Sequence, residues 1–126
     1  DDDDDGGGGG DDDDDDIVNA VPNINEEETW WVCDRDDAVN DYYFEFQAVV
    51  DDLDGVQDVQ YVDVTVYNAD NGSTLDSFSL IAEGDGVWGG LVWEYESELF
   101  CGEPIDVLFE AWDYYDAYDN FTLYYY

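Results

Sequence analysis

From residue 29 onward, apolar and polar residues alternate with a period of two, the mark of half-buried strands. Tyr42, Phe44, Phe46, Ala48 and Val50 alternate with Tyr43, Glu45, Gln47 and Val49, which predicts a strand over 42–50 with its even positions inward. Val62, Val64 and Val66 alternate with Tyr61, Asp63, Thr65 and Tyr67 and predict another over 59–67. Further runs predict strands over 29–33, 75–82, 87–95, 105–112 and 120–126. Asn71-Gly72 signals a hairpin, because both central residues of a type I′ turn need positive φ, and Gly84-Asp85-Gly86 signals a second turn. About seven short strands with Gly- and Asp-rich turns at regular spacing predict an all-β antiparallel sandwich.

Counting reversals assigns the connections to two poles. Strand 42–50 climbs to the acidic turn 51–58, strand 75–82 climbs to Gly84–Gly86, and strand 105–112 climbs to 113–119. Both acidic loops therefore share the upper pole, and Glu26-Glu27-Glu28 enters from the same side. Cys33 and Cys101 fall together at the lower pole, which predicts a disulfide between them. A bridge closing so long a loop implies an extracellular or cell-surface location, since such bonds persist outside the reducing cytosol.

The segment Phe44-Glu-Phe-Gln-Ala-Val-Val-Asp-Asp-Leu-Asp-Gly55 with Val62-Asp-Val-Thr-Val-Tyr67 resembles the immunoglobulin-like, cadherin-like modules of bacterial and archaeal surface and filament proteins. Phe109-Glu-Ala-Trp-Asp113, leading through Asp119-Asn120 to a last strand, is similar to their final hairpin. The likeness covers roughly residues 29–126. It implies an immunoglobulin-like β-sandwich with an adhesive, spacer or polymer-forming role, often with Ca²⁺ at a domain junction. The chain departs from the pattern in its poly-Asp arm, and in placing Cys101 before the last-but-one strand rather than within it.

Composition narrows the partners. In these 126 residues 37 acids face one base, Arg35, with neither Lys nor His. Nucleic acid and anionic membranes are poor partners for such a surface, which calls for salt, divalent cations or a basic protein. No run of about twenty apolar residues predicts membrane insertion. Lack of His removes the commonest general base and Zn²⁺ ligand. With no nucleophile motif or phosphate-binding glycine loop either, the expectation is a protein that is not an enzyme. Residues 1–28 form an arm: acid and glycine blocks to residue 16, then the apolar Ile17, Val18, Ala20 and Val21 before Pro22. The chain begins at Asp1 without Met and reads as a processed product or a partial sequence.

Clustered loop carboxylates suit Ca²⁺, which takes six to eight oxygens. The candidate ligands are Asp51, Asp52, Asp54, Asp58, Asp113, Asp116 and Asp119, with Glu26 to Glu28, and so Glu28, behind them. No complete EF-hand is present, because aligning Gly55 with that loop's glycine puts Val50 at the first ligand position and Tyr61 at the last. The competing reading is the solvated acidic surface of a halophilic protein. Asn71-Gly-Ser73 and Asn120-Phe-Thr122 are sequons, making Asn71 and Asn120 candidate glycosylation sites. Trp30, Trp31, Trp88, Trp93 and Trp112 are candidates for a sugar platform, although such residues more often fill a sandwich core. The favoured expectation is a homopolymeric extracellular filament or pilus-like subunit that joins head to tail through its N-terminal arm and is stabilised by Ca²⁺. The alternatives are a Ca²⁺-binding adhesin module and, third, a carbohydrate-binding domain.

Overall fold

The computed structural model describes residues 3–4, 6–7, 21–52 and 59–125. Two antiparallel sheets are built from nine strands: β1 Asn23–Ile24, β2 Trp30–Asp36, β3 Asp41–Asp51, β4 Val59–Asn68, β5 Thr74–Ser79, β6 Ile81–Gly84, β7 Val87–Trp93, β8 Ile105–Asp113 and β9 Tyr118–Leu123. The first sheet has the order β1-β3-β7-β6, with β2 also on β3, and the second has β9-β8-β4-β5. A two-residue parallel contact of Asp3–Asp4 with Gly6–Gly7 belongs to neither.

The period-two pattern puts its apolar positions between the sheets. Phe44, Phe46, Ala48 and Val50 of β3 and Val62, Val64 and Val66 of β4 form one buried cluster with Val107, Phe109 and Ala111 of β8. Phe46 and Phe78 meet edge to face across the layers, with ring centroids 4.9 Å apart. The described core begins at Ile24, 3% exposed, so the sandwich starts ahead of the expected boundary at residue 29. β1 and β2 lie end to end along one edge of β3, with Ile24 opposite Val50 and Trp30 opposite Gln47. Between them a 3-10 turn, Glu26–Glu28, is capped by Asn25, whose side chain accepts the Glu27 N–H at 3.1 Å.

The strand expected over 75–82 divides at Leu80. Ser79 pairs with Asp63 in the second sheet, whereas Ile81 pairs with Gly89 in the first. Leu80 is the buried pivot, and its N–H reaches the Val62 carbonyl at 2.8 Å. Gly90 makes room for it: a Cβ there would lie 2.9 Å from Leu80 Cδ2.

Asn71-Gly72 does sit in a hairpin, but only Gly72 takes positive φ, at 76°. The Asn68 side chain gathers the N–H groups of Asp70 and Asn71, and Gly72 N–H closes onto the Asn68 carbonyl at 2.7 Å, making a longer loop. The two-residue turn with both centres left-handed is Asp85-Gly86, at φ 55° and 82°.

Cys33 and Cys101 are bridged, with Cα atoms 5.9 Å apart, inside the range a disulfide spans. The bond ties β2, on the edge of the first sheet, to the lower-pole connection that leads into β8.

Candidate functional site

At the upper pole β3 ends at Asp51, β6 and β7 turn through Asp85-Gly86, and β8 and β9 turn through 114–117. Five of the seven candidate aspartates lie here among the described residues, while Asp54 and Asp58 lie outside them. Asp113 is fully buried, and its Oδ1 accepts the N–H groups of Tyr115 at 2.8 Å and Ala117 at 3.0 Å. Its own N–H reaches the Ala117 carbonyl at 3.0 Å, so this carboxylate holds the turn together. Asp116 supplies the left-handed residue of the turn, at φ 65°. Asp119 Oδ2 accepts the Ile24 N–H at 2.9 Å and thereby pins β1 to the second sheet. Asp51 is exposed opposite Asn23, and Asp52 is buried. Glu26, Glu27 and Glu28 are exposed in the capped 3-10 turn, where Glu28 Oε2 accepts from the Asn25 amide at 3.3 Å.

Among the described residues no three acidic or sulfur-bearing side chains converge into a metal-holding group. Of the acids expected as one ligand set, Asp113 and Asp119 accept backbone N–H groups. Turn and cap chemistry uses Asp because its short carboxylate reaches nearby N–H groups, as a cation site also requires. Asp113→Ala should lower stability by about 2 kcal/mol, since two turn N–H groups lose a charged acceptor, while Asp113→Asn keeps an acceptor and loses less. Denaturant melts of both variants would check this; equal losses would show that the accepted bonds are not the cause.

The outer face of the second sheet carries a constellation that sequence reading missed. Trp112 of β8 lies in register with Tyr61 of β4 on one side and Tyr118 of β9 on the other. Ring centroids are 6.1 Å apart for Tyr61–Trp112 and 4.5 Å for Trp112–Tyr118, at 29° and 20° between planes. The next row is polar: Ser79, Asp63, Glu110 and Asn120 follow one another across β5, β4, β8 and β9. Ser79 Oγ donates to Asp63 Oδ1 at 2.7 Å. The row could have been found by pairing residues across the 113–117 turn, which sets Trp112 opposite Tyr118.

The other tryptophans do not form a common platform. Trp88 is buried between the sheets, and Trp31 packs on Phe44 at 6.1 Å. Trp93 touches Tyr43 and Tyr95 on the outer face of the first sheet, at 5.7 and 6.0 Å. The Tyr43 phenol is pushed above its ordinary 10.0, first by loss of solvent around it and then by Asp34, Glu45 and Asp36. With the folded pKa raised, the stabilising contribution is intact below pH 10.0 and is lost as pH rises through the folded value. Tyr43→Phe should therefore soften the alkaline fall in melting temperature; an identical fall in the variant would remove Tyr43 as a cause.

Arg35 pairs with Asp37 at 2.6 Å on the exposed lower hairpin. Asn71 lies on an exposed turn, where its side chain accepts the Ser73 N–H at 2.9 Å, and Asn120 is exposed in β9. Of the apolar arm residues Val21 is described and is 54% exposed, while Ile17, Val18 and Ala20 lie outside the described residues. Among the described residues no helix is long and apolar enough to cross a membrane. Compared with family models, curated proteins and solved structures, the chain matches none.

Proposed function

We propose that this chain is a structural subunit of an extracellular filament or pilus-like fibre, joined head to tail through its N-terminal arm and stabilised by Ca²⁺. The observation that carries this reading is that the described core closes with Ile24 while Val21, three residues earlier, is exposed. β1 runs antiparallel to β3 with Asn23 opposite Asp51, so the described chain enters β1 from the upper pole. The apolar run that ends in this exposed valine is suited by composition to pairing with the open sheet edge of a neighbour, and a contact of that kind propagates instead of closing.

The strand order supports an immunoglobulin-like reading of the sandwich. β2-β3-β7-β6 facing β9-β8-β4-β5 corresponds to the A-B-E-D and G-F-C arrangement of such domains, with β5 as an added edge strand. The Cys33–Cys101 bridge favours an oxidising, extracellular setting. Asn71, on an exposed turn, is the sequon better placed to carry a glycan.

Ca²⁺ enters through charge. A subunit of formal charge −36 repels its copies, and divalent cations between them relieve that repulsion. Asp51, Asp52 and Asp116 at the upper pole, with Asp54 and Asp58, are its proposed ligands; Asp113, Asp119, Glu26 and Glu28 are proposed to support it through the turns they hold. Electron micrographs of the purified protein in Ca²⁺ and in EGTA test both parts. Filaments in Ca²⁺ that thin or shorten in EGTA are expected; isolated particles in both conditions would overturn the proposal.

A further inference from the structure

We infer that the outer face of the second sheet is a docking surface for an arginine-bearing segment of a different protein. The inference is independent of the filament reading, because it rests on Tyr61, Trp112, Tyr118, Asp63 and Glu110, none of which the filament proposal uses.

Three features on this face select the occupant. First, the rings of Tyr61, Trp112 and Tyr118 stack against one another, so their inner faces are already in use. A flat sugar ring therefore meets no broad platform here. What stays open are the two ends of the stack. β9 is an edge strand, which leaves the outer side of Tyr118, 46% exposed, facing solvent. β5 ends opposite Asp63, so among the described residues no strand is paired with Tyr61 on that side, and Tyr61 is 37% exposed. An exposed aromatic face attracts a cation, and a planar guanidinium stacks on it better than an ammonium does.

Second, the row beneath the stack places Asp63 directly opposite Glu110. Like charges facing each other across two strands destabilise a sheet. Ser79 donates to one Asp63 oxygen and offsets part of this, but it brings no positive charge. A guanidinium lying on the end ring can reach a carboxylate in the next row with paired N–H groups, an arrangement that an ammonium cannot reproduce.

Third, the charge has to come from outside. Arg35 is the one base in the sequence, and it is engaged by Asp37 on the lower hairpin. A second copy of this chain would bring a single exposed base, already paired, against 37 acids, and nucleic acid or an anionic membrane would be repelled.

The test is a titration of the full, disulfide-bonded chain with a blocked peptide of three arginines spaced by glycines, followed by tryptophan fluorescence in about 0.5 M NaCl to screen diffuse attraction. Matched peptides with lysine or glutamine in place of arginine, and a β-1,4-glucan hexasaccharide, are the comparison ligands. Saturable binding is expected for the arginine peptide, weaker binding for lysine, and none for glutamine or the glucan. Tyr118→Ala and Glu110→Gln should each weaken arginine-peptide binding about tenfold. Glu110→Gln is nearly isosteric and keeps the test valid if Tyr118→Ala fails to fold. Glu45→Gln, on the outer face of the other sheet, is the control and should leave binding within about twofold. An equal loss in the control would reduce the effect to general acidity and overturn the inference. So would glucan binding that Tyr118→Ala abolishes, or lack of saturable arginine binding. Filament formation by Glu110→Gln is expected to be unchanged, which separates failure here from failure of the filament proposal.

Discussion

Replacing Cys33 and Cys101 together by Ala should destabilise the fold by about 4 kcal/mol, the chain-entropy value for a loop of this length. The bridged residues are 68 apart in sequence, and the loop they close contains five whole strands, β3 to β7, with the end of β2. In the unfolded chain the bond restricts all of that segment. In the folded chain it links an edge strand to the connection before β8. The connection itself is lightly held: Glu94 Oε2 accepts the Cys101 N–H at 2.8 Å, and Leu99 is its buried anchor. A loss of this size corresponds to a fall in melting temperature on the order of 15 °C for a domain of this size. The double variant is preferred to single ones, which leave a free thiol able to cross-link subunits. Calorimetry of the double variant beside the reduced wild type would measure the effect. A shift of only a few degrees in both would mean that the sandwich does not depend on the bridge.

The alternation in the sequence located β3, β4 and β8 to within a residue or two, because half-buried strands in a two-layer fold carry the burial pattern on their face. Reversal counting then located the two cysteines, since antiparallel neighbours leave little freedom over which end a loop occupies. Two features were hidden for reasons of chemistry. The division at Leu80 keeps the chain extended, so its apolar pattern continues across the point where it changes sheets. Ile24 sits between polar residues, in a strand too short to show any period. The acidic loops illustrate a different limit. Asp serves as turn-former, cap and ligand through the same short carboxylate, so Asp113 and Asp119 look alike in sequence. Only the backbone around them shows that one closes a turn and the other ties down β1.

Truncation of the arm has the largest expected effect on assembly, and the structure fixes where the cut belongs. Removing residues 1–20 should leave a folded monomer that forms no filament. Removing residues 1–25 should also unsettle the sandwich. The difference lies in β1. Ile24 is buried, its N–H is held by Asp119 at 2.9 Å, and Asn25 N–H reaches the Val49 carbonyl at 2.8 Å. Burying one such side chain is worth about 1.5–3 kcal/mol, so the longer deletion should melt well below the shorter one. The shorter deletion loses no described core residue and removes eleven aspartates from a chain of net charge −36. Relief of self-repulsion should hold its melting temperature level or raise it. Those same aspartates make the arm's docking dependent on cations. Two unit charges about 4 Å apart at a protein surface repel by roughly 4 kcal/mol, so a few uncompensated contacts outweigh the burial of Ile17, Val18 and Val21. Filament loss on deleting 1–20 and filament weakening in EGTA should therefore appear together. Sedimentation and micrographs of the two deletions, with and without Ca²⁺, give the answer. If the chain lacking residues 1–20 still builds the same filament, the connection lies within the sandwich and the arm has another use.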